Sequence, residues 1–220
     1  MNTPAKDCKR VSVLILAAGA GQRMGRRAKC LLEVQGQTLL ERLMHSICSV
    51  GFHRCVLVLG HHAADIQAHV AQWPAKLMTG QVVNPSPEED TATSLQVGLQ
   101  ALDSDTEAVM VLLADQPLIE ATDIGAVCAA FKCCPPRFRV LIPMVSGVPG
   151  HPVMFDASVR ADLLAAPGTS LRQWVAVHPN ETLRWEVDNP HYTRDLDTPE
   201  HVDALARETG WIIKWPRSTA

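Results

Sequence analysis

Val11-Ser12-Val13-Leu14-Ile15-Leu16-Ala17-Ala18-Gly19-Ala20-Gly21-Gln22-Arg23-Met24-Gly25, with Lys29 shortly after, decides how this chain folds. The apolar run 11–16 reads as a buried strand, and it opens into a loop with three glycines and clustered cations. Gly19, Gly21 and Gly25 allow positive φ and close backbone approach, so several N–H groups can converge on an anion. Arg23 adds a guanidinium fork and Lys29 a point charge. The stretch predicts a phosphate cradle at the end of a central strand. The plain alternative is a strand-to-helix turn with surface arginines.

Two better-known glycine motifs do not fit. G-x-G-x-x-G matches at Gly19 and Gly21 but has Met24 in its third place, and the next apolar run ends at Leu59-Gly60-His61 without an acid. The P-loop needs a glycine where Met24 again stands.

With 220 residues, 47% of them hydrophobic and 20% charged, the chain holds enough apolar material for one well-buried domain. A net charge of −3 without a long basic run argues against nucleic acid as a partner. The seven cysteines (Cys8, Cys30, Cys48, Cys55, Cys128, Cys133, Cys134) are odd in number and form no C-x-x-C pair, which suggests reduced thiols in a cytoplasmic protein. Cys133-Cys134 beside Pro135-Pro136 reads as a helix end or as a soft metal or redox pair, and Cys30 lies next to the charge of Lys29. Lys6, Lys9 and Arg10 before an apolar 11–18 imitate a signal peptide, but the apolar core is short and runs at once into the cationic loop, so a buried strand explains it better. No window approaches the roughly 20 apolar residues of a membrane span.

Along the chain, strands and helices alternate. Residues 38–50 place Leu39, Leu40, Leu43, Met44 and Ile47 at helical spacing, and Gly51 ends that helix. The run 55–59 is a second buried strand, followed by His61-His62, which are metal ligands or the lining of a loop, and an amphipathic segment 63–72. A short strand 81–83 leads into the acid-rich turn 84–90 and a helix 91–101. The run 108–113 stops at Ala114-Asp115-Gln116-Pro117. An acid there either serves a ligand at the carboxyl edge of the sheet or caps a helix. A helix near 120–132, a strand 140–142, the segment 147–152, the apolar 153–155, helical pieces 158–165 and 169–177 and a strand 183–187 follow. Thr198 and Pro199 then start a last helix as N-cap and first residue. Trp211 and Trp215 in the tail are either an interface or packed on their own domain. Such alternation predicts an α/β fold: a single-domain, Rossmann-like three-layer sandwich with a mostly parallel central sheet. The loops after the first and fourth strands, carrying Arg23, Lys29 and Asp115, then share one edge.

The block L-A-A-G-x-G-x-R-M-G followed by Lys29 resembles the signature loop of nucleotidyltransferases of the molybdopterin-guanylyl and molybdopterin-cytidylyl type. The resemblance continues in order through Asn84-Pro85 and Ser94, Asp115-Gln116-Pro117, Gly147 to Pro152, Ser170 to Gln173, and Asp195 to Pro199. It implies a nucleotide-diphospho-sugar transferase type of fold, with 1–10 as a tail, 11–207 as the nucleotidyltransferase domain and 208–220 as an appendage. Ala17, Ala18 and Gly19 would contact base and ribose, Asn84 and Ser94 would face the nucleoside, and Gly21, Arg23 and Lys29 would hold the triphosphate. Asp115, with Asp195 or Asp197, would bind Mg²⁺, for which Mn²⁺ can substitute. His151 and Arg172 would lie on the acceptor side.

The implied reaction is Mg²⁺-dependent transfer of CMP from CTP to a molybdopterin-type phosphate, with a molybdenum hydroxylase as recipient of the product. The rivals are GTP as donor, a sugar or polyol phosphate as acceptor, and a non-catalytic carrier of nucleotide or pterin. Three departures stand out. Arg26-Arg27-Ala28 lengthen the run between Gly25 and Lys29, Asp90 occupies a place where the family has glycine, and Ala17-Ala18-Gly19 looks more like the cytidylyl branch than the guanylyl one.

Overall fold

The computed structural model describes residues 10–74, 77, 80–87 and 91–216. Its centre is a sheet that begins with β1 (Val11–Ala17), whose side chains alternate between two cores. Val13 and Ile15 enter the core under α1 (Leu39–Ser49), while Leu14 enters the core on the opposite face. Before α1 come two short strands, β2 (Glu33–Val34) and β3 (Gln37–Thr38). Thr38 then starts α1, its side chain accepting from Glu41 N at 3.2 Å.

The chain continues through β4 (Cys55–Leu59), α2 (Ala63–Val70), β5 (Gly80–Val83), α3 (Thr91–Ala101), β6 (Ala108–Leu113) and α4 (Ala121–Cys133). There follow β7 (Val140–Val145), β8 (Val148–Pro149), β9 (Val153–Asp156), α5 (Ala157–Ala165), α6 (Leu171–Val177), β10 (Thr182–Glu186), α7 (Pro199–Thr209) and β11 (Ile213–Lys214). Two helix starts carry reciprocal capping boxes, Glu120 with Asp123 at α4 and Ser170 with Gln173 at α6. Thr198 caps α7 with Pro199 at its first position, as the sequence predicts.

The main sheet runs β10-β7-β9-β6-β1-β4-β5, with β8 added on β7. Residues from α1, α2 and α4 fill one core, and residues from α3, α5 and α6 fill the other, so the three-layer expectation holds. The parallel expectation holds for β6-β1-β4-β5 and for β10-β7, but β9 lies antiparallel between β6 and β7. Strict alternation of strand and helix also missed a second sheet, β11-β2-β3. Its strands are two residues long and carry no readable period. It covers a third apolar cluster of Leu32, Val34, Leu39, Leu196 and Leu205, against which Trp211, Ile213 and Trp215 pack. Among the described residues no helix is long and apolar enough to cross a membrane.

Because β1 and β6 are adjacent and parallel, their carboxyl ends meet. Ala114 N donates to Leu16 O at 3.1 Å, so the glycine loop and Asp115 leave the sheet side by side.

Candidate active site

The loop after β1 is built from left-handed turns. Gly21 (φ 59°) and Gly25 (φ 70°) take up the positive φ expected of them, and a Cβ on Gly21 would strike the carbonyl of Arg27. Gly19 takes no positive φ, and nothing stands within 4 Å of where its Cβ would be, so neither backbone strain nor crowding within the protein calls for glycine there. Among the described residues, the N–H groups of Gly19, Ala20 and Gly21 donate to no backbone carbonyl, whereas those of Met24 and Arg26 close the turn onto Gly21 O at 2.8 and 3.0 Å. Donors left open on a loop of this shape are what an anion requires.

The long run from Gly25 to Lys29 does not carry the lysine away. Arg26 is also left-handed (φ 57°), so the extra residues fold into a compact turn, and Lys29 opens a short 3-10 helix (Lys29–Leu31). Its ammonium bridges two carboxylates: it donates to Asp115 Oδ2 and, at 2.8 Å, to Asp197 Oδ1. The other oxygen of Asp197 accepts from Arg23 Nη2 at 2.9 Å. Lys29 and Asp115 are 18% and 20% exposed in their side chains while Arg23 is 68% exposed, so the cluster is closed inside and open at the arginine.

Asp195 and Asp197 are brought to this place by backbone anchors. Leu196 is fully buried between them and its N–H donates to Asp115 O at 3.1 Å. Upstream, the buried Tyr192 accepts at its carbonyl from Gln116 Nε2 (2.9 Å) and His151 N (2.8 Å), and its hydroxyl donates to Asp123 O (3.2 Å). The Asp123 carboxylate in turn receives Asn189 Nδ2 at 2.8 Å and faces His191 Nδ1 at 2.9 Å.

The charges have a clear order. Burial would depress Lys29, but its ion pairs with Asp115 and Asp197 outweigh this and hold it above its ordinary pKa. The hydrogen bond from Lys29 keeps Asp197 below the usual carboxylate range. Asp195 goes the other way: burial, then the negative charge of Asp115, push it up to about 6 despite Gln116 and Lys29. Its Oδ1 is buried without a hydrogen-bond partner among the described residues. An orphaned carboxylate oxygen close to a second carboxylate fits a hard divalent cation, which would relieve both the repulsion and the missing partner. In their present positions, with the ammonium between Asp115 and Asp197, no three His, Cys, Asp or Glu side chains of the described residues enclose an ion by themselves.

Two cavities open from this edge. The first, about 280 Å³, is lined by Ala17, Ala18, Gly19, Lys29, Pro87, Ser94 and Asp115 among others. The second, about 690 Å³, has His151, Ser170, Arg172 and Arg184 set around an apolar floor that includes Ile142, Val153 and Val175. Leu16 and Leu113 belong to the walls of both. Burial pushes the His151 imidazole down to about 4 despite the influence of Asp115, so the ring is neutral near neutral pH.

The structure therefore brings Ala17, Ala18, Gly19, Ser94, Lys29 and Asp115 around the first cavity, with Arg23 and Asp197 joined to them through Lys29, and puts His151 and Arg172 in the second. Asn84 is placed differently from the nucleoside-facing role implied for it. It is 2% exposed and lines neither cavity. Its amide nitrogen donates to Thr93 Oγ1 and Ser94 Oγ, both at 2.9 Å, and its oxygen accepts from Ser86 N at 3.0 Å, so it orders the turn and orients Ser94. Asp90 lies outside the described residues. Cys30 is buried, and burial with nearby Asp115 pushes its thiol up to about 12, the opposite of activation. Cys134 is buried with its Sγ 3.0 Å from Phe131 O while Cys133 is exposed at the end of α4, so the two thiols lie in different surroundings.

His61 and His62 line the loop. Their ring nitrogens lie 3.2 and 3.0 Å from the carbonyls of Ala18 and Ala20, bracing the backbone from behind. Gly60 makes this approach possible, since a Cβ there would fall 2.5 Å from Ala18 O. Sequence reasoning found no signal for Arg184 or Tyr192, which lie in no motif, and noticed Gln116 only as the variable place of Asp115-Gln116-Pro117. It also gave the tail no part in the loop, yet the Arg27 guanidinium stacks over Trp215, 5.2 Å from the ring centre, and Arg42 over Trp211 at 4.9 Å.

Comparison with known proteins identifies the family and the fold. The model of the MobA-like NTP transferase domain matches residues 13–183, and the chain belongs to that family. It is a nucleotidyltransferase. A curated relative, nicotine blue oxidoreductase of Paenarthrobacter nicotinovorans, is 31% identical over 70% of this chain and 74% of its own length. Bifunctional protein GlmU of Mycobacterium avium is 30% identical over 64% of this chain, which spans only 29% of that longer protein. Among solved structures, the manganese complex of Rv0371c from Mycobacterium tuberculosis superimposes with a TM-score of 0.71 at 24% identity, covering 91% of this chain and 100% of the other. Molybdopterin-guanine dinucleotide biosynthesis protein A from Archaeoglobus fulgidus gives 0.65 at 14% identity over 90% and 98%. At such identities the structures speak for the fold.

Proposed function

We propose that the protein transfers CMP from CTP to the phosphate of a molybdopterin-type acceptor, releasing pyrophosphate, with Mg²⁺ as the divalent ion. The observation that carries this reading is the meeting of two things at one sheet edge: open N–H groups at Gly19–Gly21 and a cation cluster joined to acids, beside a cavity that shares Leu16 and Leu113 with a second one. The base and ribose lie along Ala17, Ala18 and Gly19 with Ser94 opposite. The triphosphate rests on the open N–H groups, with Gly21 permitting the turn.

An oxygen of the acceptor phosphate attacks the α-phosphorus, the bond to the bridging α,β oxygen breaks, and pyrophosphate leaves with the electron pair. No covalent enzyme intermediate is needed, so the chain's work is positioning and charge stabilisation. Arg23 and Lys29 neutralise the leaving pyrophosphate, Lys29 by turning from the carboxylates to the phosphates. Asp115 and the orphaned oxygen of Asp195 are the residues that would hold the metal, with Asp197 keeping Lys29 and Arg23 in place. When bound, the divalent ion draws the two anionic reactants together and offsets their charge. Neutral His151 and Arg172 face the acceptor in the second cavity.

Support comes from family membership, from the alanine pair before Gly19 that is similar to the cytidylyl branch, and from fold neighbours that include a molybdopterin-guanine dinucleotide biosynthesis protein and a manganese complex. The product then passes to a molybdenum hydroxylase in the cytoplasm. The relative named for an oxidoreductase makes redox turnover the second reading. Incubation with α-labelled CTP, Mg²⁺ and reduced molybdopterin separates them. The proposal expects a labelled CMP adduct and one pyrophosphate per adduct; labelled nucleotide recovered unchanged, with no pyrophosphate, contradicts it.

A further inference from the structure

The second cavity is lined by two exposed arginines that have no ion pair among the described residues. Arg184 sits on the edge strand β10, paired in register with Ile142 of β7. Its neighbours Leu183 and Trp185 turn to the core under α4, so the two-residue alternation sets Arg184 on the opposite face, the one covered by α6. There it lines the cavity together with Arg172 from the first turn of α6.

Several other arginines are paired, although the Arg26 side chain makes no ion pair or hydrogen bond among the described residues and Arg27, Arg42 and Arg137 make ring contacts only. Arg54, Arg139 and Arg194 pair with carboxylates at 2.6–2.8 Å, and Arg160 reaches the carbonyls that end α3. Arg172 and Arg184 make no ion pair or hydrogen bond among the described residues. Two guanidiniums facing one apolar space repel each other, and their fork geometry suits a planar anion.

We infer that Arg172 and Arg184 form a second anion subsite in the larger cavity, whose lining does not include Lys29. The acceptor therefore carries, besides the phosphate that attacks, a further anionic group on an apolar or ring body that covers Ile142 and Val175. This rests on the transfer reading for the identity of the acceptor, though not for the existence of the subsite. The attacking phosphate points toward Lys29 and Asp115, and the distal anion holds the other end, so that binding energy remote from the reaction fixes the attack line.

The test uses the full chain and two fluorescent probes, pterin and pterin-6-carboxylate, which differ by the one charge. We expect the carboxylate to bind the wild type at least about tenfold more tightly than pterin, with the preference falling as salt rises. Arg184→Gln and Arg172→Gln each bring the ratio below about threefold, Arg184→Lys keeps part of it, and calorimetric CTP affinity stays unchanged in all. A wild-type ratio near one, or a ratio that both glutamine variants preserve, overturns the subsite. Absence of CTP binding with the ratio intact would instead overturn the transfer reading and leave the subsite standing.

Discussion

The two cavities share Leu16 and Leu113 but solve opposite electrostatic problems. At the first, Lys29 holds Asp115 and Asp197 and Arg23 holds Asp197, while Asp195 keeps one oxygen without a partner among the described residues. At the second, a neutral histidine and two arginines without ion pairs among the described residues line an apolar space. The first is a cross-linked device that a ligand enters by exchanging partners, which keeps cations and acids at fixed positions before it arrives. The second waits for its counter-charge. A site that moves a highly charged group benefits from preorganised charge, whereas a site that recognises a body and a tail needs shape and a complementary anion.

This contrast can be broken most sharply at Asp115. Asp115→Ala should reduce Mg²⁺-dependent turnover by about 10³-fold or more while circular dichroism and the melting curve stay native-like. Full activity at ordinary Mg²⁺ would remove Asp115 from the metal site. Lys29→Ala should lower turnover about 10²-fold, the scale of losing one preorganised charge partner, and a fall below threefold would show that its ion pairs are structural only. The tail offers a finer probe. If Trp215 stacking on Arg27 steadies the loop that presents Lys29, Trp215→Ala should raise the KM for nucleotide about 2–5-fold, the equivalent of ~0.5–1 kcal/mol of cation–π energy, with kcat little changed and Trp215→Phe restoring most of it.

The last effect belongs to the second cavity and appears in stability rather than in turnover. His151 titrates near 4 in the folded protein against 6.5 for an ordinary histidine, so folding favours its neutral form. The stability this supplies is complete above pH 6.5 and is lost as pH falls from 6.5 toward 4, by at most about 3 kcal/mol. His151→Gln should flatten that part of the stability-against-pH curve in denaturant unfolding. An unchanged acid limb would mean that the ring is well solvated.

Much of the main sheet was legible because its strands are buried on both faces and announce themselves as unbroken apolar runs, as at 55–59 and 108–113. The antiparallel β9 was not, since Val153-Met154-Phe155 says nothing about direction, and the two-residue strands of the small sheet have no period to read. At the site, the glycine loop, Lys29 and Asp115 could be named from sequence, but not that Lys29 would touch Asp115 and Asp197, 86 and 168 residues away. That contact depends on the left-handed Arg26 and on Leu196 anchored to Asp115 O, both tertiary facts. Asn84 looked functional because a polar residue before proline stood in a family motif; its amide is instead consumed by Thr93 and Ser94. Arg184 was silent because a lone arginine in a strand pattern reads as a solvated edge residue.

The central claim is that the first cavity takes a nucleoside triphosphate with a divalent ion, and that its base is cytosine. Calorimetric titration of the purified protein with CTP, GTP, ATP and UTP, each with Mg²⁺, tests it most directly. The account predicts CTP binding at least about tenfold tighter than GTP, roughly 1.4 kcal/mol. Preference for GTP, or no Mg²⁺-dependent binding of any of the four, would contradict it.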